Sequence, residues 1–372
     1  MQDPYADIRP YNDEEVKPVL KRLTASDQLM NALIRYRYPG TPGWLLALIR
    51  PLLRMVAARH IHKLQHVKDF QDLVAEWVSR LVENSTDKVV VRGLDRLDKN
   101  NAYLLISNHR DIAMDPTLIN YSLHQAGWPT SRIAIGDNLL RHPEIADIMR
   151  LNKSFIVKRS LTNKREKLRE LQRLSAYIRE SLDSGTPIWI AQREGRAKNG
   201  IDKTDTAVLK MLALNGRERS ESFTETMTAM RPVPVSIQYE WDPCDVDKAR
   251  ELVMRDTSGH YQKSDDEDTR SILRGLTGFK GRVFVDFGTP LTGDDLTSAE
   301  TMAAAIDQQL HAMTELLPVH DAAARLLRGE NCDGDTETAA RELKRRTENQ
   351  NSDIVRRLLT TYAVPVTDKT NL

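Results

Sequence analysis

Residues Ser107-Asn108-His109-Arg110-Asp111-Ile112-Ala113-Met114-Asp115-Pro116 place a histidine and two carboxylates directly after an apolar run, Tyr103 to Ile106. Such a run reads as a strand, and the residues just past a strand end are well placed for chemistry. An imidazole titrates near neutral pH, so His109 can take a proton from a hydroxyl if a carboxylate fixes its tautomer and supports the imidazolium that forms. Asp111 and Asp115 are both candidates for that carboxylate. Five residues, Arg110 to Met114, separate His109 from Asp115. At about 100° per residue a regular helix would not align the two side chains, so the turn before the next helix must bring them together. The same residues also suit an ordinary helix start, with Asp115 as N-cap, Pro116 at the first helical position and Leu118, Ile119, Tyr121 and Leu123 following.

Asn108-His109 followed by Asp115-Pro116 resembles the signature of the glycerolipid acyltransferases, the lysophosphatidic acid and glycerol-phosphate acyltransferase family. The family spaces His and Asp by four residues, one fewer than here, and its Asp-Pro and following helix favour Asp115 over Asp111 as the partner of His109. Three later segments resemble the family's remaining blocks, in the family's order. Asn152 to Arg159 resembles the second, a short apolar strand ending in an arginine that lies near the acceptor phosphate in the family. Ile188 to Arg196 resembles the third, in which Glu-Gly follows a buried strand. The family reads Glu-Gly-Thr-Arg-Ser there and this chain Glu194-Gly195-Arg196-Ala197-Lys198, which puts Arg196 one place early. Val233-Pro234-Val235-Ser236-Ile237 resembles the fourth, and Val283 to Leu291 the closing strand. Taken singly each block has a plainer reading: Lys158 and Arg159 as solvated residues after a strand, Glu194-Gly195 as a strand-ending turn, Pro234 as the mark of an edge strand or bulge. Four blocks in one order make coincidence improbable.

These elements need a scaffold, and the chain supplies one. Short β-rich runs (Val89 to Val91, Tyr103 to Ile106, Ile133 to Ile135, Ser154 to Val157, Ile188 to Ala191, Val233 to Gln238, Val283 to Phe287) alternate with helical segments. That pattern predicts an α/β fold with a mixed, mostly parallel sheet flanked by helices, with helical N- and C-terminal extensions. The expected division is a helical region 1–86, an acyltransferase-like domain 87–292 and a helical region 293–372. Helices are expected over Pro116 to Gln125, Asn163 to Leu182 with a core stripe of Leu168, Leu171, Leu174 and Ile178, and Thr204 to Leu214. Beyond Leu291, four helices starting near Ala299, His320, Thr336 and Ser352 carry no recognisable chemistry, which suits packing or partner contact.

Composition sets outer limits. With 372 residues, 40% apolar and 29% charged, the chain has the make-up of a folded soluble protein. A formal charge of +1 argues against whole-molecule attraction to nucleic acid. Cys244 and Cys332 are too few for a zinc site or a disulfide framework, and no metal or cofactor is expected. The start lacks the basic and apolar regions of a signal peptide, and no apolar stretch reaches the roughly 20 residues that span a bilayer. The expected location is peripheral, on the cytoplasmic face of the membrane.

Membrane contact has its own sequence signal. The turn-rich Tyr36-Arg37-Tyr38-Pro39-Gly40-Thr41-Pro42-Gly43 leads into Trp44 to Val56, where Trp, Leu and Ile alternate with Arg50 and Arg54 at helical spacing. An interfacial helix would sink its apolar side chains to the acyl boundary while guanidinium groups meet lipid phosphates; a core helix is the competing reading. Pro51 is expected to kink or restart it. His60, His62 and His66 follow without a zincin-like carboxylate and read as surface residues.

The resemblance implies direct acyl transfer. His109, oriented by Asp115, would deprotonate a hydroxyl of a glycerol-phosphate or lysophospholipid acceptor, and the oxygen would attack the thioester of acyl-CoA or acyl carrier protein. Backbone N–H groups near Glu194-Gly195 would receive the oxyanion. Arg159 and Arg196, with Arg193 and Lys158 in reserve, would hold the acceptor phosphate, and Glu194 would orient an arginine or bind an acceptor hydroxyl. A serine hydrolase would need a Gly-x-Ser-x-Gly elbow, which the chain lacks. A non-catalytic lipid-binding member of the fold and an enzyme with a phosphate-free acceptor are the remaining alternatives.

Overall fold

The computed structural model describes residues 3–370 apart from Pro39, Arg141 and Asp265. In chain order the elements are helices α1 (Asp13–Ala25), α2 (Asp27–Arg37), α3 (Gly43–Ile61) and α4 (Val67–Ser85), strands β1 (Lys88–Arg92) and β2 (Leu104–Ser107), α5 (Met114–Gln125), β3 (Arg132–Gly136), α6 (Pro143–Leu151), β4 (Ser154–Val157) and α7 (Lys164–Asp183). There follow β5 (Ile188–Ala191), α8 (Thr206–Leu212), α9 (Phe223–Met230), β6 (Pro232–Tyr239), α10 (Asp245–Ser258), α11 (Glu267–Thr277), β7 (Arg282–Phe287), α12 (Ala299–Ala312), α13 (Pro318–Arg328), α14 (Gly334–Arg346) and α15 (Ser352–Thr370).

Two compact units share these elements. One is Met1–Val78 with Ser131–Tyr177, the other Ser79–Thr130 with Ile178–Leu372. In the second, five strands lie in the order β1-β7-β6-β2-β5. Three of the four neighbouring pairs are parallel and only β6 with β7 is antiparallel, so the mixed, mostly parallel sheet read from the sequence is present. β2 is buried along its whole length, as a central parallel strand covered on both faces must be. Helix α12 packs on β6, and α13, α14, α15 and α10 close over a core that includes Trp241, Val319, Leu343, Leu358 and Tyr362. The C-terminal helices therefore pack on one another and on α10.

Pro234 sits on an interior strand, between β2 and β7, rather than at an edge or a bulge. The chain tolerates it there because Pro234 O accepts from Gly288 N and Pro232 O from Leu291 N, which places both prolines where β7 has already ended at Phe287. A residue's N–H and C=O point to the same side of a strand, so the donors the prolines lack fall where no ladder needs them.

The first unit carries the parallel pair β3 and β4 and the helices α1 to α3, with a core built on Val16, Val19, Leu20, Phe70 and Leu151. Helix α3 runs unbroken through Pro51. Leu46 faces inward, while Trp44, Leu48, Leu52 and Met55 form a stripe at helical spacing, each 58–68% exposed. The arginines do not flank that stripe as the sequence suggested. Arg50 and Arg54 both reach Asp27 in the first turn of α2, and Arg54 also donates to the carbonyls of Thr24 and Ala25, because the packing of α3 on α1 and α2 offers them a carboxylate and open helix-end carbonyls. Pro39 and the side chains of Tyr36 and Arg37 lie outside the described residues. His60, His62 and His66 are exposed, as expected. In α7 the leucine stripe is core only toward its C-terminal end: Leu174 and Ile178 are buried, whereas Leu168 is exposed.

Candidate functional site

Everything around His109 is organised by the end of β2. Asn108 continues the strand with its side chain: Oδ1 accepts from Ile237 N at 2.8 Å, and Nδ2 donates to Ile237 O at 3.1 Å and to Asp202 Oδ2 at 3.0 Å. That fixes the backbone on which His109 sits. Its imidazole meets Trp189 of β5 edge-on, with ring centroids 5.9 Å apart, and the Trp189 indole N–H is anchored on Ser107 Oγ at 2.9 Å.

Asp115, not Asp111, pairs with His109: its Oδ2 lies 2.8 Å from His109 Nδ1. The same oxygen accepts the backbone N–H groups of Arg110, at 2.6 Å, and Asp111, at 2.9 Å, so the loop wraps around the carboxylate. Oδ1 accepts from the Tyr239 hydroxyl at 2.7 Å. Asp111 has a different task. Its Oδ1 accepts from Ala113 N and Met114 N and so caps the start of α5. The helix accordingly begins at Met114, not at Pro116, and Asp115 stands in its first turn instead of capping it. With capping passed to Asp111, Asp115 is available to His109, and the extra residue of the loop is absorbed. Burial, and after it the charge of Asp115, pushes the Asp111 carboxyl up. Gly275 of α11 lies so close that a Cβ there would come within 2.7 Å of Asp111 Cγ.

The Glu194–Lys198 segment is tied to this loop. Ala197 N donates to His109 O at 2.8 Å, and the Arg110 guanidinium spans the carbonyls of Ala197 and Gly200 and the carboxylate of Asp202. Gly195 has φ +76°, a left-handed turn that glycine adopts without strain. Glu194 is exposed and Arg193 half-buried. Arg196 donates from Nη1 to Ser271 Oγ of α11 at 2.7 Å. His109, Asp115, Arg193, Glu194, Gly195 and Arg196 thus all belong to the second unit. Lys158 and Arg159 belong to the first. There Lys158 Nζ bonds Asp7 and Glu170, and Asp137 accepts the backbone N–H of exposed Arg159.

Four contributors were not read from the sequence. Tyr239 closes β6 and reaches Asp115; Ser271 holds Arg196; Asp202 holds Asn108 and Arg110; Lys248 of α10 donates to Arg110 O at 2.6 Å and pairs with Asp242. A lysine closely preceded by three acidic residues, in Asp242 to Lys248, was the one visible signal among them. Behind the loop a cavity of about 90 Å³ is lined by Asn108, Arg110, Asp202, Tyr239, Lys248 and Tyr362, among others. Its cations Arg110, Lys198 and Lys248 are each paired with a carboxylate, Asp202, Glu251 and Asp242 respectively.

With Nδ1–H directed at Asp115, Nε2 of His109 keeps its lone pair, and the arrangement suits a general base whose imidazolium form is stabilised by a buried carboxylate. Among the described residues no helix is long and apolar enough to cross a membrane.

Comparison with known proteins bears on this arrangement. A search of curated proteins gives no match. Several solved structures match, among them the 1-acyl-sn-glycerophosphate (LPA) acyltransferase PlsC from Thermotoga maritima, at 17% identity, covering 80% of this chain and 95% of that one with a TM-score of 0.38. The acyltransferase family model matches residues 88–232, the stretch that runs from β1 through the His109 loop and Arg196 to the first residue of β6. The chain therefore contains an acyltransferase domain over residues 88–232, which supports acyl transfer as its general chemistry.

Proposed function

We propose that this chain moves a fatty acyl group from a thioester donor, acyl-CoA or acyl carrier protein, to a hydroxyl of glycerol 3-phosphate or a lysophospholipid, at the cytoplasmic face of a membrane. The observation that carries the reading is the 2.8 Å contact of His109 Nδ1 with buried Asp115 at the end of a central strand. His109 Nε2 takes the proton of the acceptor hydroxyl as its oxygen attacks the thioester carbonyl. The C–S bond then breaks, the thiolate leaves with that proton, and the products are an ester and a free thiol. No acyl-enzyme is formed. Backbone donors near Gly195 receive the oxyanion, and Arg196 is the side chain of the second unit assigned to the acceptor phosphate, with Arg193 in reserve.

Thiol release from long-chain acyl-CoA and acyl carrier protein, measured with glycerol 3-phosphate, lysophosphatidic acid and a phosphate-free monoacylglycerol, tests the reading. Release with a phosphate-bearing acceptor is the expected result, and release with none of the three would contradict it. Arg196→Ala is expected to raise KM for the phosphate-bearing acceptor by roughly 10–100-fold, the worth of one hydrogen bond to a charged group. The phosphate-free compound should be indifferent to the change; equal loss with both would move Arg196 away from the phosphate.

The apolar stripe of α3 supports the membrane part of the proposal. Trp44, Leu48, Leu52 and Met55 face solvent in a continuous row that a single helix could lay on a lipid surface. Replacing Trp44 and Leu48 by Ser removes two side chains worth about 1.5–3 kcal/mol each when buried. Sedimentation with phosphatidylglycerol vesicles should therefore drop more than tenfold in apparent affinity. Undiminished sedimentation would assign the contact elsewhere.

A further inference from the structure

The His109 partner is held at both of its oxygens. Asp115 Oδ2 accepts from the loop and faces His109, while Oδ1 receives the hydroxyl of Tyr239. A carboxylate turns readily about its Cβ–Cγ bond, because that torsion has broad, shallow wells. A donor on the far oxygen fixes its plane. Tyr239 is suited to this because its own backbone is fixed: it ends β6, opposite Val283 of β7, and its side chain is buried. Residue 239 lies beyond the stretch matched by the family model and 124 residues from Asp115.

We propose that Tyr239 is a positioning residue of the His109–Asp115 pair, its hydroxyl locking the Asp115 carboxylate so that Oδ2 faces His109 Nδ1. The proposal rests on the reading of His109 as the general base. Burial, and after it the carboxylates of Asp115 and Asp111, keeps the phenol's pKa well above its usual range, so it is a donor throughout the neutral region. Without the hydroxyl, Asp115 Oδ1 would be buried without that partner, and the carboxylate would be free to turn from the imidazole.

The test is Tyr239→Phe beside a protein carrying 3-fluorotyrosine at position 239, with two readouts. In acyl transfer, the Phe variant should lose about tenfold or more in kcat while KM for donor and acceptor stays within about twofold, and the fluorotyrosine protein, which keeps the donor, should retain near wild-type kcat. In proton NMR of protein labelled with ¹⁵N-histidine, the low-field Nδ1–H resonance of His109 should be sharp in the wild type and broadened by exchange in the Phe variant. In the fluorotyrosine protein it should stay sharp and move upfield, because a stronger donor draws charge from Asp115. The resonance needs no substrate, so it decides on Tyr239 even if no acyl transfer is found, a result that would instead count against the proposed function. A resonance unchanged from wild type in either protein overturns the proposal, and the fluorotyrosine protein alone suffices if the Phe variant does not fold.

Discussion

His109→Ala is expected to lower kcat for acyl transfer by about 10²–10⁴-fold, the range over which a positioned general base acts, while the protein remains folded. The imidazole is partly exposed at the end of β2 and meets Trp189 edge-on, so its loss is expected to remove chemistry more than structure. Asp115→Asn should cost a comparable factor, because an amide can neither fix the same imidazole tautomer nor support its charge. The two residues act as a unit, so the double variant should be little worse than His109→Ala alone. Steady-state kinetics on the three variants checks this. Additive losses would mean that Asp115 serves the N–H groups of the loop rather than the histidine.

Arg346→Met is expected to destabilise the protein by about 3–5 kcal/mol near neutral pH, the cost of stranding a buried charge. Arg346 of α14 lies against the Trp241 ring and bonds Asp242 O and Asp245 Oδ2, and both members of the Arg346–Asp245 pair are largely buried. Tyr362 of α15 adds a hydrogen bond to Asp245 and receives one from Asp242 N. These contacts from the C-terminal helices brace the 242–245 turn that leads into α10, the helix from which Lys248 reaches the Arg110 carbonyl. Burial pushes the Asp245 carboxyl up against the pull of Arg346. Removing the arginine raises it further, and a carboxyl whose folded pKa lies above its unfolded value loses stability as pH rises through that range. The deficit should therefore shrink as pH falls toward the carboxylate range and be larger at pH 7. Urea unfolding at pH 4.5 and pH 7 measures it; an equal or larger deficit at the lower pH would contradict the ion-pair account.

The strands were legible because each is a short apolar run with turn residues at its ends, and β2 leading into Asn108-His109 needed only that pattern. The start of α5 was misread because Asp115-Pro116 satisfies every local rule for an N-cap, and only the loop's own folding shows that Asp111 takes the N–H groups of Ala113 and Met114. Leu168 was misread for a related reason: a helix can keep its apolar period past the point where anything covers it. Arg50 and Arg54 carried a membrane signature by composition, and their actual partner, Asp27, became visible only when α3 was packed on α2. The partners of Tyr239, Lys248 and Ser271 could not be read from the sequence. Their contacts cross 124, 138 and 75 residues of chain, and no local period encodes such a meeting.

The measurement that bears most directly on the account is thiol release from long-chain acyl-CoA with and without lysophosphatidic acid, in the presence of lipid vesicles, for wild type and His109→Ala side by side. The account predicts acceptor-dependent release by the wild type and a loss of at least a hundredfold in the variant. Acceptor-dependent release that survives the substitution would contradict the assignment of His109 as the base.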